Sequence, residues 1–266
     1  MPKFAANLSF LFTEVAFPER FQRAAAAGFK GVECLFPYEW PAHDVADWLQ
    51  AADLEQVLFN LPAGDWAAGE RGLACLPHRR GEFAESVEQA LGYALVLDCK
   101  RVHCLAGLRP AGVGEAELEA TYAANLQFAA DRFASIGATV MIEPINSRID
   151  MPGYWLDDIA KGFRLLEAVD RSNVKLQYDI YHAQIIAGDL ARTLEANIER
   201  IGHIQIADNP GRHEPGTGEI NYPFLFDLFD RLGYDGWVGC EYKPLTTTEA
   251  GLGWLPHPKG ASFGAQ

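Results

Sequence analysis

Strand-like runs alternate with helix-like runs eight times along this chain, a rhythm that few architectures accommodate. Strands are predicted near residues 4–8, 31–36, 56–61, 101–106, 139–143, 174–179, 202–207 and 237–242, each an apolar run bounded by turn residues. Amphipathic stretches separate them. Leu118, Tyr122, Leu126, Ala129, Phe133 and Ile136 step by four and three, and Gly137 follows where a left-handed cap belongs. Ile159, Phe163, Leu166 and Val169 repeat the spacing, as do Leu190, Leu194, Ile198 and Ile201. Pro18 opens the first helix and Gly28 closes it, the asymmetry expected of helix ends.

In a chain of 266 residues with no change of composition along its length, this alternation predicts one α/β domain, a (β/α)8 TIM barrel over residues 1–254. Residues 255–266, with Pro256, Pro258 and Gly260, are expected to form a loosely ordered C-terminal tail. A doubly wound open sheet competes. For a nucleotide enzyme it would need a glycine-rich turn after the first strand, and Ser9-Phe10-Leu11-Phe12-Thr13-Glu14 supplies no glycine there.

Barrel enzymes build their sites at the C-terminal strand ends. Glu143, Asp179, Gln205 and Glu241 end four successive apolar runs, so parallel strands would offer them at one mouth. Three carboxylates and an amide oxygen in one place repel unless a cation joins them, and a hard divalent metal, Mg²⁺ or Mn²⁺, suits such oxygens. Glu143 and Glu241 come from strands separated by two others and would face each other across the metal. That constellation suits proton abstraction beside a carbonyl, hence isomerisation or epimerisation through an enediolate.

Other side chains are candidates for holding substrate. His182 follows Asp179 by three residues. Arg71 and Arg212 sit in long glycine-containing loops, residues 61–72 and 209–219, which follow predicted strand ends. Lys243 shares the parity of Glu241 and would line the mouth. His203 shares the parity of Gln205 but lies lower, and reads as a hydrogen-bonded interior residue.

The formal charge of −14, from 22 Lys and Arg against 36 Asp and Glu, argues against nucleic acid or anionic membrane as a partner. It leaves a small anionic substrate dependent on a locally basic pocket, and it leaves a homo-oligomer open. The N-terminal apolar run is short and broken by Asn7 and Ser9, so neither a secretory signal nor a membrane span is expected. Five cysteines, an odd number without a close pair, read as reduced core thiols and a cytoplasmic location.

Several long segments resemble hydroxypyruvate isomerases. They are Ala5-Ala6-Asn7-Leu8-Ser9, the run from Asn60 to Gly72, Ile142-Glu143-Pro144-Ile145-Asn146, and the run from Gln177 to His182. The runs Gly202 to Asp208, Glu214 to Tyr222 and Gly236 to Pro244 belong with them. The likeness extends over about residues 4–254. It implies a xylose-isomerase-like barrel that interconverts hydroxypyruvate and tartronate semialdehyde (2-hydroxy-3-oxopropanoate). It also implies Glu143 and Glu241 as the acid/base pair, and Glu143, Asp179, Gln205 and Glu241 as the metal ligands. Ketose epimerases of related type usually carry His where Gln205 stands, whereas 2-oxo-tetronate isomerases share the framework and are the nearest rival. Rivals of other kinds are a metal phosphodiesterase, disfavoured by the charge, and a non-catalytic sugar-acid sensor, disfavoured by the intact glutamate pair.

Overall fold

A computed structural model describes residues 2–255, so the expected tail lies, from residue 256 on, outside the described residues. Eight parallel strands close on themselves in chain order. They are β1 (Lys3–Asn7), β2 (Gly31–Cys34), β3 (Glu55–Asn60), β4 (Arg101–His103), β5 (Thr139–Ile142), β6 (Val174–Asp179), β7 (Ile201–Ile206) and β8 (Trp237–Cys240). The pairing of β1 with both β2 and β8 shuts the barrel. β2, β4 and β8 stop two or three residues short of the sequence expectation. After β4 the apolar run continues as a loop, with Cys104, Leu105 and Ala106 buried.

The helices are α1 (Phe17–Ala26), α2 (Ala42–Ala52), α3 (Arg80–Val96), α4 (Glu115–Ala134), α5 (Ile159–Val169), α6 (Ile180–Ile186), α7 (Leu190–Asn197) and α8 (Tyr222–Arg231). The predicted stripe Leu118, Tyr122, Leu126, Ala129 and Phe133 is wholly buried along α4. Truncating one of its large members to Ala should cost roughly 2–5 kcal/mol. The last helical repeat overran: Ile198 opens a 3-10 turn and Ile201 begins β7, because β-branched residues satisfy either pattern. After β8 the described chain forms a 3-10 helix, Glu249–Trp254, whose Trp254 packs edge-on against Phe4.

The barrel is filled in layers. At its N-terminal end, Ala5, Val57, Leu58, Met141 and Trp237 form a separate apolar plug. Gly31 makes room for it, since a Cβ there would lie 2.6 Å from Val57 Cγ2 and 2.8 Å from the Trp237 ring. Above the plug the interior turns polar. Glu33 and His203 are fully buried and paired, Nε2 to Oε2 at 2.7 Å, which makes His203 the interior residue its parity predicts. All five cysteines are buried and free, and no helix among the described residues is long and apolar enough to cross a membrane.

Candidate active site

The next layer upward is the mouth, where a cavity of about 250 Å³ opens. Its wall includes Glu143, Glu241, His182, Arg212, Arg71 and Lys243, six of the residues singled out from sequence. Asp179 and Gln205 lie buried at the adjoining strand ends. A wider cavity of about 380 Å³ at the opposite face is lined by Lys100, Lys175 and the loop around Gly233. It sits at the strand N-termini, where barrels keep stability rather than chemistry.

Asp179 has two jobs. Its Oδ1 caps α6, accepting from Tyr181 N at 2.7 Å and His182 N at 3.1 Å. Its Oδ2 has no partner, and neither does Oε1 of Glu143, although both are buried. Two orphaned, buried carboxylate oxygens fit a hard divalent cation, which would relieve both their desolvation and their mutual repulsion.

Glu143, Asp179 and His182 each offer an atom within 4.8 Å of the others. The surroundings of His182 oppose it as a ligand. Asn146 Oδ1 accepts from the backbone N–H groups of Ile149 and Asp150, so its Nδ2 is the group that faces His182 Nδ1, at 2.7 Å. Nδ1 therefore accepts, Nε2 carries the proton, and His182 presents a donor rather than a metal-binding lone pair.

Gln205 is drawn into a different contact from the one predicted. Its amide nitrogen donates to Glu241 Oε2 at 2.8 Å and to Glu33 Oε1 at 2.7 Å, while its oxygen accepts from Gln177 at 2.7 Å. Asn7 bridges the same two carboxylates, with 2.9 Å to Glu241 and 3.1 Å to Glu33. Glu241 is completed by Arg212, whose Nη2 donates to Oε1 at 2.7 Å. Glu143, Asp179 and His182 thus form one group, and Gln205 and Glu241 meet in another beside it.

Burial, reinforced by the Asp179 and Glu241 carboxylates, pushes Glu143 well above the usual carboxylate range. Burial also pushes Glu241 up to about 8, against the pull of the Arg212 guanidinium and with a further push from Asp179 and Glu33. Both glutamates therefore hold their protons to higher pH than an ordinary carboxylate, as suits groups that exchange protons with a substrate.

The loops place the cations. Asp208, at the end of β7, collects the backbone N–H groups of Asn209, Gly216, Gly218 and Ile220 at 2.9–3.0 Å and so folds the loop that carries Arg212. Arg212 lies between the rings of Phe10 and Tyr181 and also pairs with Asp150 at 2.9 Å. Arg71 stacks 4.1 Å over the Trp66 ring and hydrogen-bonds the carbonyls of Trp66 and Glu70. Gly72 fastens that loop, because its positive φ of 123° and its close approach to the Leu105 carbonyl exclude a side chain.

Residues 21–257 match the xylose isomerase-like TIM barrel family. The chain belongs to that family. Within it, a 2-oxo-tetronate isomerase of Cupriavidus necator is 54% identical, covering 96% of this chain and 98% of that protein. A hydroxypyruvate isomerase of Escherichia coli is 49% identical over the same shares. The family is one of enzymes, and these relatives are named isomerases. A crystal structure from Brucella melitensis, described as an AP endonuclease of family 2, superposes with a TM-score of 0.94 at 50% identity, covering 96% and 98% of the two chains. The 3-keto-D-glucoside 4-epimerase of E. coli shares the fold, with a TM-score of 0.79 at 21% identity over 96% of this chain and 99% of that one.

Within this xylose isomerase-like barrel, sequence reasoning missed His103, Asn60, Gln177 and Asp150, which line the cavity, and Asn7 and Glu33 beneath it. Glu33 left a readable trace: an acid inside the apolar run Gly31-Val32-Glu33-Cys34-Leu35. Asp150 left none, since it belongs to an irregular loop without periodicity.

Proposed function

We propose that this chain is an aldose–ketose type isomerase that interconverts hydroxypyruvate and 2-hydroxy-3-oxopropanoate, acting in the cytoplasm. The observation that carries the reading is a pair of buried glutamates, Glu143 and Glu241, in the wall of one small cavity, both pushed above the usual carboxylate range by burial. One takes a proton from the carbon that bears the hydroxyl, giving an enediolate, and the other delivers a proton to the neighbouring carbon. The hydroxyl proton passes to the former carbonyl oxygen, so atoms balance without a redox partner.

Glu143, Asp179 and Glu241, with the Gln205 oxygen once its amide turns over, would hold a divalent cation, for which Mg²⁺ or Mn²⁺ is the proposal. Bound there, it would supply Lewis-acid stabilisation of negative charge on the substrate oxygens. His182 Nε2–H donates to a substrate oxygen. Arg71 is the better candidate for the substrate carboxylate, because its partners are neutral carbonyls while Arg212 is already matched by two acids. Lys243, exposed at the rim, adds positive potential there.

The 54% identity to a 2-oxo-tetronate isomerase favours a second reading, the same chemistry on a four-carbon 2-oxo acid. Nucleic acid is disfavoured as substrate by the −14 charge. Turnover of purified protein on three- and four-carbon substrates, with added Mn²⁺ and with chelator, tests the proposal. A kcat/KM for hydroxypyruvate at least tenfold above that for the four-carbon acid supports the first reading. The reverse order supports the second, and turnover of neither removes both.

A further inference from the structure

Two imidazoles line the cavity, and they are held in opposite tautomers. His182 is the Nε2–H donor fixed by Asn146. His103, at the end of β4, is 2% exposed, and its Nδ1 lies 3.2 Å from Oδ1 of Asn60. An amide oxygen only accepts, so Nδ1 carries the proton and the lone pair sits on Nε2. That Nε2 is buried and without a hydrogen-bond partner, in the cavity wall 3.6 Å from Glu143 Oε2. A buried imidazole nitrogen without a partner is costly, and its place in the cavity wall asks for a donor that arrives with the ligand.

The chemistry of an α-hydroxycarbonyl acid narrows what that donor is. Its carboxylate and its carbonyl oxygen only accept, and its hydroxyl is the one group that donates. We propose that His103 is a substrate-contacting residue whose Nε2 accepts the substrate hydroxyl, turning the hydroxyl-bearing carbon toward Glu143. His182 then serves the carbonyl oxygen, so the pair reads the donor–acceptor order of an α-hydroxycarbonyl. Asn60 is a positioning residue that fixes the His103 tautomer. This deepens the isomerase reading and rests on it for the identity of the ligand.

The test uses ¹⁵N-histidine-labelled protein with Mg²⁺, together with the variants H103Q and H103N. The imidazole spectrum of the wild type should show His103 protonated at Nδ1 and bare at Nε2. The Nε2 signal should move on addition of hydroxypyruvate and stay in place with pyruvate, which lacks the hydroxyl. Glutamine puts an amide oxygen near the position of Nε2, whereas asparagine reaches only as far as Nδ1. H103Q should therefore keep kcat/KM within about tenfold, and H103N should lose about 10²-fold or more, as sites built to bond a hydroxyl do when the bond is lost.

A proton found on Nε2, the same Nε2 shift with pyruvate, or equal losses in both variants with equal falls in Tm would overturn the assignment. The spectra need no variant, so a misfolded substitution leaves that arm intact. A wild type that binds hydroxypyruvate at His103 but never converts it would instead overturn the isomerase reading alone.

Discussion

Arg71 and Arg212 bring the same charge to one cavity and are held by opposite kinds of partner. Arg212 is 13% exposed in its side chain and is matched by Asp150 and Glu241, so removing it leaves a buried and a half-buried carboxylate without their cation. Arg71 is tied to carbonyls and to the face of Trp66, which leaves its charge for a ligand. Arg71→Ala is therefore expected to raise KM for hydroxypyruvate tenfold or more while changing kcat little. Arg212→Ala should lower kcat through Glu241, and an uncharged hydroxyketone should distinguish the two because only Arg212→Ala affects it. Equal effects of Arg71→Ala on charged and uncharged substrates would place carboxylate recognition elsewhere. At this scale the sequence was legible where chemistry ends a strand. Glu143, Asp179 and Glu241 each follow an apolar run, and that pattern carries to the barrel mouth. His103 also ends its strand, but the apolar run goes on through Cys104, Leu105 and Ala106, so in sequence it reads as mid-strand rather than as a strand end.

Among the elements, the strands were readable because each is buried on both faces and shows as an apolar run. The exchange of helix for strand at Ile198–Ile201 was unreadable because Leu190, Leu194, Ile198 and Ile201 satisfy a helical period by coincidence. Loops resist reading for another reason. Their shape comes from backbone N–H groups converging on side chains distant in sequence, as at Asp208. Replacing Asp208 with Ala strips four backbone donors of their acceptor, at a cost on the order of 1–3 kcal/mol for each one left buried and unpaired. Asp208→Ala is expected to lower Tm by several degrees and to expose residues 209–219 to limited proteolysis, with the loss of activity exceeding the loss of fold. Cleavage confined to other loops would show that the β7 loop is held by something else.

For the whole molecule, the barrel plug and the outer helices keep the fold while the mouth stores unfavourable charge. Glu241 moves from its usual 4.5 up to about 8, and Glu143 moves the same way. Between those limits the folded, metal-free protein keeps protons that the unfolded chain has released. The Glu241 contribution to stability is therefore complete below about pH 4.5 and is lost as pH rises through about 8. A divalent cation would replace the protons, so the gain in Tm on adding Mn²⁺ to chelator-treated protein should grow with pH over that range. In Glu241→Gln that growth should be smaller. A Tm gain independent of pH would disconnect the buried glutamates from metal binding. Proton transfer by that glutamate pair is read out by following hydroxypyruvate in D₂O by NMR with wild type, Glu143→Gln and Glu241→Gln. Solvent deuterium is expected on the carbon of the product that receives the proton, with turnover reduced at least ~10²-fold in each variant. Full retention of the substrate hydrogen in the product, or a variant that turns over at the wild-type rate, would contradict it.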